Sequence, residues 1–143
     1  MASNPLDMTE SEREAFLADV HVGVLAIARR DKGPLAVPIW YVYEDGDVVM
    51  SMDTESLKAR LLRAQGRATL TVQTEKPPYQ YVSIEGPVTL ASEPHDNLAM
   101  ASRYLGPELG RWYADNNPST ERSVVARLHP ERWLTCDYGK ATR

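Results

Sequence analysis

The chain has 143 residues and 16.0 kDa, the size of one domain. Hydrophobic residues at 43% and charged residues at 25% exclude disorder as the main state, and a net charge of −4 argues against a nucleic-acid partner, which favours a basic stripe. No apolar run approaches the roughly 18 residues of a membrane span; the longest, Val22 to Ala28, is strand-sized.

Taken in chain order, Met1-Ala2-Ser3-Asn4-Pro5 lacks a basic region followed by an apolar stretch, so no signal peptide is expected. Thr9 to Asp19 reads as a helix, capped by Thr9 with Glu12 three residues on. His21 to Arg30 is a strand, apolar on both faces and therefore expected inside a barrel or sandwich. Asp31 to Pro34 is a turn, Leu35 to Tyr43 a second strand and Asp47 to Met52 a third. Asp45-Gly46 between the last two is a hairpin signal, because both residue types tolerate positive φ. Pro38 cannot donate to a ladder, which places it at an edge or a bulge. Ser56 to Ala64 is a helix with Leu57, Leu61 and Leu62 toward the core and Lys58, Arg60 and Arg63 away from it. Ala68 to Gln73 is a strand, and Tyr79 to Leu90 a long one broken near Gly86-Pro87. His95 to Tyr104 and Glu108 to Asn116 are two helices, and Ser123 to His129 and Trp133 to Tyr138 the last strands. Short strands with helices at the margins predict a mainly β, antiparallel barrel with helical additions. No repeat or linker divides the chain, so one domain is expected over residues 1–143. The single cysteine, Cys136, allows no internal disulfide, and with the plain N-terminus it predicts a cytoplasmic protein.

Familiar catalytic motifs are missing. There is no G-x-G-x-x-G after a strand and no G-x-S-x-G elbow, and His21, His95, His129 and Cys136 show no metal-ligand spacing. Any redox chemistry is then expected from a bound cofactor. One segment suits an anion: a strand ending at Met52 leads into a helix opening at Ser56-Leu57-Lys58. There, free N–H groups and the dipole meet a hydroxyl and a full charge. Asp53 and Glu55 oppose an anion unless they point away. Trp40, Tyr41, Tyr43, Tyr79, Tyr81, Trp133 and Tyr138 suit a ring-binding cleft, a subunit interface or a polar-edged core.

Four segments together resemble the pyridoxamine 5′-phosphate oxidase-like split β-barrel family: His21 to Ala26, Pro38 to Tyr41, Ser56 to Leu62 and Tyr79 to Val88. The resemblance extends over residues 9 to 138. It implies a homodimeric split barrel binding FMN, or in some branches the deazaflavin F420, between subunits. It further implies that Lys58, with Ser56 beside it, holds the cofactor phosphate. Pro38, Ile39 and Trp40 would lie along the ring, and the strand from Tyr81 to Ser83 would approach the ring's pyrimidine edge. The oxidase carries Arg where this chain has Leu57 and Gln where it has Tyr81. The resemblance therefore reaches an oxidase-like flavoprotein acting on a small-molecule substrate, not pyridoxamine phosphate oxidation itself. Two roles follow: hydride transfer to or from a small organic molecule, or cofactor carriage without turnover. Tyr79, Tyr113 and His95 are the candidate substrate-side acids.

Overall fold

Alternating apolar side chains set the strands. The computed structural model, which describes residues 4–142, joins them into one antiparallel system. The opening Met1-Ala2-Ser3 stretch lies outside the described residues. Helix α1 spans Glu10–Ala18 and starts on the expected capping box. Thr9 accepts from the Glu12 N–H at 3.2 Å, and the Glu12 carboxylate accepts from the Thr9 N–H at 2.8 Å. Strands β1 (Gly23–Arg29), β2 (Lys32–Ile39), β3 (Val42–Glu44) and β4 (Asp47–Asp53) follow. Helix α2 (Leu57–Gln65) leads to β5 (Arg67–Gln73) and β6 (Gln80–Ala91). Helix α3 (Asn97–Asn116), β7 (Ser123–Leu128), β8 (Arg132–Asp137) and a 3-10 turn at Tyr138–Thr142 complete the chain.

The order is β2-β1-β5-β6-β7-β4-β3, with β8 also on β6. Strand β6 belongs to both halves of this system. Its first part pairs with β5 and β8, and from Val88 it pairs with β7. Strands β7 and β8 run on along β6, with one extra residue inserted across His129–Glu131. The corner closes at Gly86, where a Cβ would sit 1.9 Å from the His129 carbonyl oxygen. Only glycine admits so close a backbone approach. The resulting sheet is open and sharply bent, the form of a split barrel.

The inner faces enclose the core, with Leu25, Ile27, Met50, Leu70, Ile84 and Leu128 essentially unexposed. Each such side chain contributes about 1.5–3 kcal/mol by leaving water. Leu17 of α1 and Leu62 of α2 join this core. Tyr41 is also fully buried and donates its hydroxyl to the Leu17 carbonyl at 2.7 Å. Burial pushes that phenol well above its ordinary pKa, so it stays a neutral donor.

Several boundaries differ from expectation. The first turn is tighter: Asp31 takes φ of 58° and β2 begins at Lys32. The expected strand over 35–43 is two strands, because the chain breaks at Trp40–Tyr41 to send Tyr41 inward. Strand β2 is an edge strand, so Pro34 and Pro38 cost it few ladder bonds. Strand β1 is not sandwiched: Val24 is 43% exposed on its outer face. In α2 the buried positions are Ala59 and Leu62, whereas Leu57 is exposed. Strand β6 runs unbroken through Gly86-Pro87 and changes partner there instead. The two helices expected at His95 to Tyr104 and Glu108 to Asn116 are the two halves of α3, which begins at Asn97 and is divided by the non-helical Gly106, φ 85°, ahead of Pro107. The hairpin at Asp45-Gly46 is present, with φ of 52° and 82°.

Candidate functional site

Where β2 ends, the start of α2 and both halves of α3 come together around a cavity of about 310 Å³. Pro38, Ile39 and Trp40 form one wall. Lys58 stands in the first turn of α2, and Asn97, Met100 and Tyr113 of α3 face them, with Val22 and Ser51 completing the lining.

Trp40 is held by α3. Its ring stacks on Tyr104 at 5.0 Å and 5°, and meets Tyr113 at 5.2 Å and 53°. The Tyr104 hydroxyl accepts from the Tyr41 N–H at 3.0 Å and lies 2.7 Å from the His21 carbonyl, to which it donates. One phenol thus satisfies backbone groups exposed by the strand break and fixes the wall that Trp40 belongs to.

Lys58 is the one charged residue of the lining, and it makes no ion pair among the described residues. The acidic residues before α2 are turned to another use. Arg122 binds Asp53 at 3.2 Å and Glu55 at 2.8 Å. The Glu55 N–H and the Arg122 guanidinium hold the Asp53 carboxyl below its ordinary pKa. Ser56 caps α2: its hydroxyl accepts from the Ala59 N–H at 3.2 Å and donates to the Asp53 carbonyl at 2.7 Å. In this arrangement the Ser56 proton is committed, and Lys58 alone offers charge to the cavity. An unpaired ammonium at a helix start, beside a wall of proline and indole, fits a group with a phosphate at one end and a flat ring at the other.

The structure therefore brings together Pro38, Ile39, Trp40 and Lys58, with Ser56 just behind. It does not bring Tyr81 there. Tyr81 sits on β6 opposite Gln73 and Cys136, and its phenol is pushed up chiefly by burial and then by Cys136. Of the three candidate acids, Tyr113 lines this cavity, His95 lines a neighbouring one and Tyr79 lines neither. Sequence reasoning missed Asn97 and Met100, whose only signal was their place on one face of a helical stretch. An open groove of about 950 Å³ adjoins through Val22 and Pro38. His21 lines it, stacked on Phe16 at 4.4 Å; burial lowers its pKa and favours the neutral ring.

Known proteins bear on this arrangement. No functionally curated protein matches the sequence. Among solved structures, a conserved hypothetical protein of Mycobacterium tuberculosis superimposes with a TM-score of 0.81 at 23% identity, covering 100% of this chain and 93% of that one. An F420 reductase gives 0.61 at 21% identity, covering 85% and 94%. The heme storage protein HutZ of Vibrio cholerae gives 0.65 at 12%, covering 89% and 94%. These likenesses show a shared fold that serves both a reductase and a storage protein. The sequence model of the pyridoxamine 5′-phosphate oxidase family matches residues 9–137, almost the whole chain. With the bent open sheet and that match in agreement, the chain belongs to the pyridoxamine 5′-phosphate oxidase family.

Proposed function

We propose that this protein is a flavin- or deazaflavin-dependent oxidoreductase, taking FMN or F420 and acting on a small organic molecule. The observation that carries the reading is the convergence of an unpaired Lys58 with Pro38, Ile39 and Trp40 on one cavity. The bound cofactor would supply hydride transfer, a proton and two electrons passing to or from a substrate carbon. Lys58 would hold the cofactor phosphate by a charge-assisted bond, reinforced by the open N–H groups of α2. Pro38 and Trp40 would orient the ring, Trp40 being braced from behind by Tyr104. Tyr113, the acid-capable group in the lining, favours turnover over storage.

The test is titration of FMN and of F420, separately, into the protein while cofactor fluorescence is recorded. One of them should bind. Lys58→Ala should weaken that binding tenfold to a hundredfold, since a charge-assisted bond contributes ~1.5–3 kcal/mol. Arg63→Ala should lose less, because Arg63 is spent on the Thr54 carbonyl at 2.6 Å. Binding of neither cofactor, or a larger loss at Arg63, would overturn the reading. The carrier alternative predicts binding without oxidation or reduction of any added acceptor.

A further inference from the structure

A second cavity, of about 420 Å³, opens beside the first and shares Ser51 and Met100 with it. It lies between the first turns of α3 and the outward face of β4 and β7. Its floor is apolar, with Val49 at 9% and Val125 at 2% exposure. Ala99 and Met100 face that floor from α3.

Two arginines line this cavity, each with part of its guanidinium already engaged. Arg127 is ion-paired to Glu93, and its other amine stands 3.7 Å from Glu44. Arg103 donates to the Ala18 and Asp19 carbonyls at 2.9 and 3.0 Å, at the end of α1 where the helix dipole is negative. Three carboxylates lie along the walls, those of Glu44, Glu93 and Asp96. Asp96 caps α3 with one oxygen at 2.8 Å from the Ala99 N–H, and its other oxygen has no partner among the described residues. An incoming anion would meet three carboxylates against two guanidiniums, Arg127 already paired to Glu93 and Arg103 drawn toward the carbonyls at the end of α1. A buried charge without a partner is strongly disfavoured. A neutral or positive apolar molecule meets no such opposition and covers the apolar floor.

We propose that this cavity receives the substrate, and that Glu93, by holding Arg127, selects an uncharged or cationic apolar molecule and excludes phosphorylated and carboxylated ones. The role as a substrate site rests on the flavin or deazaflavin reading of the adjoining cavity; the charge selectivity does not.

Calorimetric titration of the full chain with 1-naphthylmethylamine, 2-naphthol and 1-naphthyl phosphate tests it, with and without FMN or F420. The amine and the naphthol should bind, and the phosphate at least tenfold more weakly. Ala99→Trp, a change at an exposed position of α3, should fill the cavity. It should cost the amine and the naphthol at least tenfold while leaving cofactor affinity within twofold. Glu93→Gln should free the Arg127 amine that Glu93 holds and tighten 1-naphthyl phosphate at least tenfold. Circular dichroism of each variant confirms that it is folded. Equal binding of phosphate and amine by the unaltered protein, no binding of any probe, or a Glu93→Gln variant with unchanged preference would each overturn the proposal. So would an Ala99→Trp variant that binds the probes as before. Failure of FMN and F420 to bind, with the probe pattern intact, would instead overturn the cofactor reading and the substrate role that depends on it.

Discussion

Lys58 and Arg63 sit on the same short helix, yet one is free and the other tied. Arg63 reaches back across a turn to bind both the carbonyl and the hydroxyl of Thr54. Lys58 points into a cavity with no carboxylate in its lining. A third cation shows what pairing does. Lys140, 18% exposed, donates to the Glu12 carboxylate at 2.6 Å and to the Asp7 carbonyl at 2.8 Å. Lys140 first, and the Thr9 N–H second, bring Glu12 from 4.5 down to about 2. A carboxyl whose pKa is depressed by folding stabilises the fold above its unfolded value and loses that contribution as pH falls through its folded value. The contribution should therefore fade between about pH 4.5 and 2. Urea midpoints across this range should fall more steeply for the unaltered protein than for Lys140→Ala, and equal slopes would show that the tether is inert. The Ser56-x-Lys58 pattern was legible because the cap and the charge are neighbours in sequence. The pairing of Arg122 with Asp53 and Glu55 was not, because the partners are far apart along the chain and only the β4–β7 pairing joins them.

The tight corner between the halves makes a demanding element. Gly86→Ala would drive a Cβ to 1.9 Å from the His129 carbonyl oxygen, a backbone atom that cannot rotate away. Overpacking ordinarily costs about 1–3 kcal/mol, and a clash with backbone belongs at or above the top of that range. Urea unfolding should show a loss of at least about 3 kcal/mol or an insoluble protein; a loss below about 1 kcal/mol would mean that the corner relaxes freely. Local signals carried the elements well where they were self-contained. The Asp45-Gly46 hairpin, the Thr9 cap and the edge position of the Pro38 strand all rest on the preferences of single residues. The break at Trp40–Tyr41 was hidden because its causes lie elsewhere, in the buried Leu17 carbonyl and the Tyr104 hydroxyl. The division of α3 was legible because glycine before proline usually ends a helix.

At the scale of the molecule, strands β2, β1, β5, β6 and β8 present an outer face on which Val24 is 43% and Leu134 62% exposed. The open groove at Val22 and Pro38 lies at its margin, next to the cofactor cavity. A second copy of the chain covering this face would bury apolar surface and enclose the cavity's open side. The expected assembly is a homodimer burying more than ~1,200 Å². Light scattering should return twice the 16.0 kDa of one chain; the single-chain mass throughout the micromolar range would reject it. The β-rich, bent architecture was readable from strand-sized apolar runs and the family pattern. Of what α3 brings to the site, Tyr113 was legible as a possible acid but Asn97 and Met100 were not, because a helix's outer partners leave no periodic mark that distinguishes a cavity wall from ordinary packing.

Strand β6 threads both halves of the sheet, and this fixes how the molecule can breathe. It is flanked by β5 and β8 along its first part and continues into the β7 pairing. Its amide protons from Val82 to Glu85 lie between β5 and β8 and meet solvent only when that half comes apart, whereas β3, three residues held from one side, can fray alone. Deuterium should enter β3 first and the Val82 to Glu85 part of β6 last. Exchange over Val82 to Glu85 as fast as in β3 would mean that this half opens without the rest.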